Sequence, residues 1–175
     1  MNLKSKIREI PDWPKPGVNF KDITTLLEDA EAFKQAVDLL AGQFMGEKID
    51  KVVGIDARGF LLAAPVAYKL HTGLAIVRKK GKLPSRCLAQ EYTLEYASNT
   101  IEMHDDAIKP EEKIILIDDL CATGGTALAA CELIERLGGK IIGMGFLVDL
   151  PFLNGSKKIK DRGYELYSLV EYESE

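Results

Sequence analysis

The stretch Ile114–Thr126, Ile-Ile-Leu-Ile-Asp-Asp-Leu-Cys-Ala-Thr-Gly-Gly-Thr, constrains this chain more than any other. Lys113 to Ile117 is a short apolar run with a β-branched bias, which predicts a strand buried on both faces. Asp118 and Asp119 follow at once and are expected just beyond the strand, outside the core. Next come Ala122, Thr123, Gly124, Gly125 and Thr126. From Ala127 to Leu137 the apolar residues Leu128, Cys131, Leu133, Ile134 and Leu137 fall at helical spacing. The order is buried strand, acidic pair, Gly-Gly loop, helix. In an open parallel sheet such a loop lies at the carboxyl edge of a strand, where ligands bind. Two glycines let backbone N–H groups turn toward one point, and the helix start adds partial positive charge. A phosphomonoester suits that arrangement, with the Thr123 and Thr126 hydroxyls as further donors. The acidic pair would repel a bare phosphate and better matches sugar hydroxyls and a hydrated Mg²⁺. A dinucleotide fingerprint does not fit, and neither does a P-loop, because no Gly-Lys-Ser/Thr follows the spacer.

At 175 residues the chain is long enough for one domain with a full core. Its net charge of −4 gives no chain-wide attraction to nucleic acid. No apolar run approaches the ~18 residues of a membrane span. Met1 to Glu9 mixes charged and apolar residues without a signal-peptide core, so the cytoplasm is the expected compartment. Three cysteines without Cys-x-x-Cys spacing, Cys87, Cys121 and Cys131, argue against a disulfide framework or a zinc site.

Leu3, Ile7 and Ile10 fit one face of a short helix over residues 2–10, ended by Pro11. Pro11, Pro14, Pro16 and Gly17 then make a stiff, irregular segment. Within Val18 to Thr24 the aromatic Phe20 stands among polar residues. Either Trp13 and Phe20 plug the edge of the core, or the segment covers a ligand. In the second reading a planar base stacks on Phe20 while stiff backbone groups read its edge. A helix is expected over 30–45, with Phe33, Ala36, Val37, Leu40 and Phe44 on one stripe. Ile49 to Ile55 reads as a strand that ends in Asp56-Ala57-Arg58-Gly59-Phe60, with a helix to about Leu70. Arg58 there either clamps an anion or pairs with Asp56.

Leu74 to Val77 reads as a further strand. Of the ten residues from Arg78 to Cys87, five are basic (78, 79, 80, 82 and 86). They form a solvated loop or help hold a polyphosphate. Between Lys79 and Gln90 little can pack, which suggests a mobile lid. Arg86 beside Cys87 is expected to favour the thiolate. Gln90 to Tyr96 and Thr100 to His104 predict a β-hairpin turning at Ala97-Ser98-Asn99. Lys140 to Val148 and Leu166 to Val170 read as two more strands, and Asn154 to Gly163 as a polar connection. His71 and His104 fall at element ends and are not expected to be catalytic. Strands alternating with helices predict an α/β fold, a parallel sheet with helices on both faces.

The string at 114–126 resembles the phosphoribosyl-pyrophosphate motif of the type I phosphoribosyltransferases. Four other segments sharpen the likeness: Pro-x-Pro-Gly-Val-x-Phe-x-Asp-Ile-Thr at 14–24, Asp-Ala-Arg-Gly-Phe at 56–60, Arg-Lys-x-Gly-Lys-Leu-Pro at 78–84 and Leu-Glu-Tyr at 94–96. Together they resemble the adenine phosphoribosyltransferases over residues 8–149. Lys21 stands where that family usually has Arg, and Ser85 where Gly follows Lys-Leu-Pro. The resemblance implies one type I phosphoribosyltransferase domain, with residues 1–25 as a hood over the base and 79–104 as a flexible loop and hairpin lid. The implied reaction is adenine plus phosphoribosyl pyrophosphate giving AMP and pyrophosphate. It implies Glu95 as general base, and Asn19, Phe20, Lys21 and Tyr96 at the substrate. Arg58, Lys79 and Lys82 would meet the pyrophosphate, Asp118 and Asp119 the ribose hydroxyls, and residues 122–126 the 5′-phosphate. Mg²⁺ would arrive with the substrate and reach Asp118 and Asp119 through water, without a fixed protein ligand. A homodimer is implied, with neither nucleic acid nor membrane as partner. The rival readings are an enzyme for another purine or for orotate, and a nucleic-acid-binding regulator of the same fold. The regulator would need an added binding segment and a basic face, and this sequence carries neither.

Overall fold

In the computed structural model, which describes residues 1–94 and 97–174, the first elements are β1 (Arg8–Ile10), β2 (Phe20–Asp22), α1 (Thr24–Glu28) and α2 (Ala30–Gly42). There follow β3 (Lys51–Ile55), α3 (Arg58–Lys69), β4 (Gly73–Lys79), β5 (Cys87–Leu94), β6 (Ala97–His104) and β7 (Lys113–Cys121). The last are α4 (Gly125–Arg136), β8 (Lys140–Asp149), α5 (Gly155–Asp161) and β9 (Leu166–Glu171). Seven strands form one sheet in the order β5-β6-β4-β3-β7-β8-β9. The run from β4 to β9 is parallel, and the β5–β6 hairpin extends it antiparallel at one edge.

Alternation along the strands sets the layers. Val52, Ile115 and Ile117 pack with α2 and α3 on one side. Val53, Ile55, Ile114 and Leu116 pack with α4 and Ile159 of α5 on the other. Helices therefore cover both faces, as parallel strands require. From β3 the chain moves outward to β4, then returns to lay β7 on the opposite side of β3. That reversal opens a crevice beyond the carboxyl ends of β3 and β7, the ligand position of doubly wound sheets.

Several sequence expectations change. Residues 2–10 are not one helix: a 3₁₀ turn at Leu3–Lys6 gives way to β1, which pairs antiparallel with β2 in a separate ribbon. Backbone pairing with β2 takes Ile10 out of any helical stripe. Ala97, Ser98 and Asn99 belong to β6, in register with Leu94, Thr93 and Tyr92, rather than to a turn. β5 begins at Cys87, so only residues 80–86 separate it from β4. β7 does not stop at Ile117. Its ladder with β8 continues through Asp118↔Phe146 to Cys121↔Asp149, so both acids are strand residues. The polar connection after Asn154 contains α5.

Candidate active site

The turn between β7 and α4 is short and is shaped from outside. Gly124 adopts φ +80°, a left-handed conformation that suits glycine. Among the described residues no side chain caps α4, so its first-turn N–H groups keep their capacity for an anion. Gly155 presses on this turn: its N–H donates to the Ala122 carbonyl at 3.0 Å. A Cβ at position 155 would lie 2.1 Å from that same oxygen. The turn and the acid before it enclose a cavity of about 190 Å³, lined among others by Asp118, Leu120, Thr123, Gly124, Gly125 and Thr126. Ala122 lines it as well. The Thr126 hydroxyl donates to the Tyr92 hydroxyl at 3.2 Å, tying the hairpin to the loop.

Asp118 and Asp119 differ in company. Asp118 Oδ1 accepts the Asp119 N–H at 2.8 Å. Asp119 is buried, contrary to the expected position outside the core, and its Oδ2 lies 2.8 Å from Arg58 Nη2. Burial, and for Asp118 the adjacent negative charge, holds both carboxyls above the usual carboxylate range; Arg58 opposes the shift. Asp56 is not the partner of Arg58. Its Oδ2 accepts from Arg78 Nε at 3.1 Å, linking the turn after β3 to the end of β4.

Arg58 also reaches toward the ribbon. Its guanidinium carbon stands 5.1 Å from the centre of the Phe20 ring. Phe20 meets Trp13 edge to face, with ring centres 4.5 Å apart. Phe20, Arg58 and Asp119 are thus a continuous line from the ribbon to the acids. Asn19 Nδ2 donates to Glu9 Oε2 at 2.6 Å. Lys21 is buried, its Nζ 2.7 Å from the same Glu9 oxygen. Its side chain is thereby committed to Glu9.

The sequence profile of the phosphoribosyl transferase domain matches residues 24–170. The chain is 53% identical over 173 residues to the adenine phosphoribosyltransferase of Methylobacillus flagellatus, covering 99% of this chain and 98% of that one. This chain belongs to the adenine phosphoribosyltransferase family. The fold agrees. The adenine phosphoribosyltransferase of Thermoanaerobacter pseudethanolicus superposes with a TM-score of 0.93 at 46% identity, covering 97% of this chain and 98% of that one. The adenine phosphoribosyltransferase of Saccharomyces cerevisiae, solved with adenine and an imino-altritol bisphosphate, gives 0.88 at 34% identity, with 95% of each chain covered.

Other family positions are less closely assembled. Lys79 ends β4 and borders a separate hollow with Lys80, Tyr92, Ser98, Asn99 and Thr100. Lys82 is exposed in the 80–86 segment, whose Gly81 N–H donates to Glu102 Oε2 at 2.9 Å. Neither lysine lines the cavity of the 122–126 loop. Glu95 and Tyr96 lie outside the described residues. Cys87 does not have the environment expected of it. Arg86 pairs with Asp105 at 3.0 Å, while burial, Glu102 and Asp105 push the Cys87 thiol up, away from the thiolate. Sequence reading missed Tyr92 and Gly155. Tyr92 carries the period-two signal of a strand but no sign of its partner. Gly155 lies far along the chain from the loop it shapes.

Proposed function

We infer that this chain transfers the phosphoribosyl group of phosphoribosyl pyrophosphate to adenine, giving AMP and pyrophosphate in purine salvage. The observation that carries this reading is the continuity of three subsites. A cavity at the 122–126 loop contains Asp118, its neighbour Asp119 holds Arg58, and Arg58 faces Phe20. That sequence of phosphate donors, acids and aromatic matches phosphate, ribose and base. The yeast relative's complex with adenine supports the same choice of base.

In this reading the 122–126 backbone and the Thr123 and Thr126 hydroxyls hold the 5′-phosphate. Asp118 and Asp119 accept the ribose hydroxyls and favour positive charge developing on the sugar, as in an oxocarbenium-like transition state. Their two carboxylates are hard donors, and a divalent cation nearby would offset the burial that holds both carboxyls up and, for Asp118, the repulsion of its neighbour. Mg²⁺ fits that donor set through water, and when bound with the substrate it supplies charge neutralisation on the pyrophosphate. Arg58, Lys79 and Lys82 meet the pyrophosphate. Phe20 stacks on adenine, and the main chain at Asn19 and Lys21 reads its edge. Glu95 takes the imidazole proton as the base attacks, with Tyr96 beside the substrate. Residues 1–25 act as hood and 79–104 as lid of one domain, in a cytoplasmic homodimer.

The test is pyrophosphate release from phosphoribosyl pyrophosphate with adenine, hypoxanthine, guanine or orotate. Adenine is expected to exceed hypoxanthine by ~10³-fold or more, since two buried contacts are mismatched. Comparable turnover of both bases would move the assignment to another purine.

A further inference from the structure

The β1–β2 ribbon that presents Phe20 is three residues by three, too short to hold its own position. Its anchor is a cation inside the protein. Lys21 is 2% exposed, and besides Glu9 its Nζ faces the ring of Tyr172, 4.2 Å from the centroid. Lys4 Nζ lies 4.3 Å from the same ring and donates to the Glu171 carbonyl at 2.8 Å. Tyr172, just past the end of β9, is itself buried, with its N–H on the carbonyl of Asp149, the last residue of β8, at 3.1 Å. Its hydroxyl has no hydrogen-bond partner among the described residues. The contact that matters is therefore the ring, which two ammonium groups approach.

Glu9 Oε2 joins the two residues that flank Phe20, because Asn19 Nδ2 and Lys21 Nζ both donate to it. Glu9 is half-exposed and makes a soft anchor alone. The Tyr172 ring supplies the rigid wall. We propose that Tyr172 is a positioning residue for base recognition: its ring fixes Lys21, and through Lys21 and Glu9 it fixes the main chain on either side of Phe20. This rests on reading residues 19–21 as the adenine-binding segment.

The experiment uses the full chain and measures KM for adenine and for phosphoribosyl pyrophosphate separately. Tyr172→Leu removes the ring and is expected to raise KM for adenine about five- to tenfold. KM for phosphoribosyl pyrophosphate and kcat stay within about twofold. Tyr172→Phe keeps the ring and is expected to restore wild-type values. An unchanged KM for adenine in folded Tyr172→Leu overturns the proposal, as does an equal rise in both KM values or a Phe variant as impaired as the Leu variant. If Tyr172→Leu does not fold, Lys21→Met decides: an adenine-only rise supports the proposal and its absence overturns it. Trp13, the one tryptophan of the chain, gives a readout that needs no turnover. Its emission shifts in Tyr172→Leu and not in Tyr172→Phe; identical spectra in all three proteins overturn the proposal. A wild-type enzyme inactive with adenine defeats the proposed function, and the emission comparison still tests the anchoring.

Discussion

At the turn between β7 and α4, the proposed phosphate end of the cleft, backbone is held by backbone: Gly155 donates to Ala122 at 3.0 Å, and a Cβ at 155 would meet that oxygen at 2.1 Å. At the proposed base end, the ribbon is held by charge. Arg8 Nε donates to Asp22 at 2.9 Å, and Lys21 is clamped by Glu9 and Tyr172. The difference follows from what each end must do. A phosphate cradle needs N–H groups fixed to a fraction of an ångström, which close packing provides. A ribbon that covers a base, as proposed for this one, must stay in place with little of its own structure to hold it, and side-chain charge reaches across that distance. The first end should be sensitive to one added carbon, the second to pH and salt.

Gly155→Ala is the harshest way to test this contrast. The Cβ forces the 122–124 turn aside, and displacements near 1 Å can reduce rate by about 10²-fold. We expect kcat/KM for phosphoribosyl pyrophosphate to drop on that scale while the circular dichroism spectrum is retained. Wild-type kinetics would show that the turn is not held by this contact. Replacing Asp118 and Asp119 together by Asn comes next. It should lose more than ~2 kcal/mol of transition-state stabilisation, measured from kcat/KM. Unchanged kinetics in the double variant would remove the acids from the site.

Tyr92→Phe should do less. Deleting the acceptor for the Thr126 hydroxyl removes one net hydrogen bond, ~1 kcal/mol, read as a several-fold rise in KM for phosphoribosyl pyrophosphate. An effect on adenine alone would assign Tyr92 to the wrong end. The smallest effect is in pH. The Thr24 N–H, and then Arg8, hold the Asp22 carboxyl down at about 2. A depressed folded-state pKa gives stability that is present above the unfolded value of ~3.9 and lost as pH falls toward the folded one. Trp13 emission should therefore change between about pH 4 and pH 2. The buried acids of β7 work in the opposite direction: their raised values favour folding at low pH and disfavour it as they ionise. A flat Trp13 signal through that window would mean that Asp22 does not hold the ribbon.

The fold and the turn between β7 and α4 were legible because their signals are local. Apolar runs gave the strands, and Thr-Gly-Gly-Thr carries its own turn chemistry. The acids read as lying past the strand because polar residues look like a strand's end, yet the β8 ladder carries β7 on to Cys121. Leu3, Ile7 and Ile10 had helical spacing, and only the pairing of β1 with β2, across the proline segment, overrode it. Gly155 and Tyr172 were invisible for a related reason. Each acts on residues far away in the sequence, and neither has a local pattern that announces the contact. The partner of Arg58 was likewise a tertiary matter, since β7 brings Asp119 within its reach while Arg78 captures Asp56.

Arg58 and Asp119 are each other's counter-ion at the mouth of the crevice, 2.8 Å apart with the acid buried. A bare anion can draw Arg58 away only by stranding a buried carboxylate, and a bare cation meets the converse penalty. In the proposed reaction, pyrophosphate arriving with Mg²⁺ would offer a partner to both charges at once. Under the proposed function the pair would act as a lock with two keys, turning for a ligand that carries both signs.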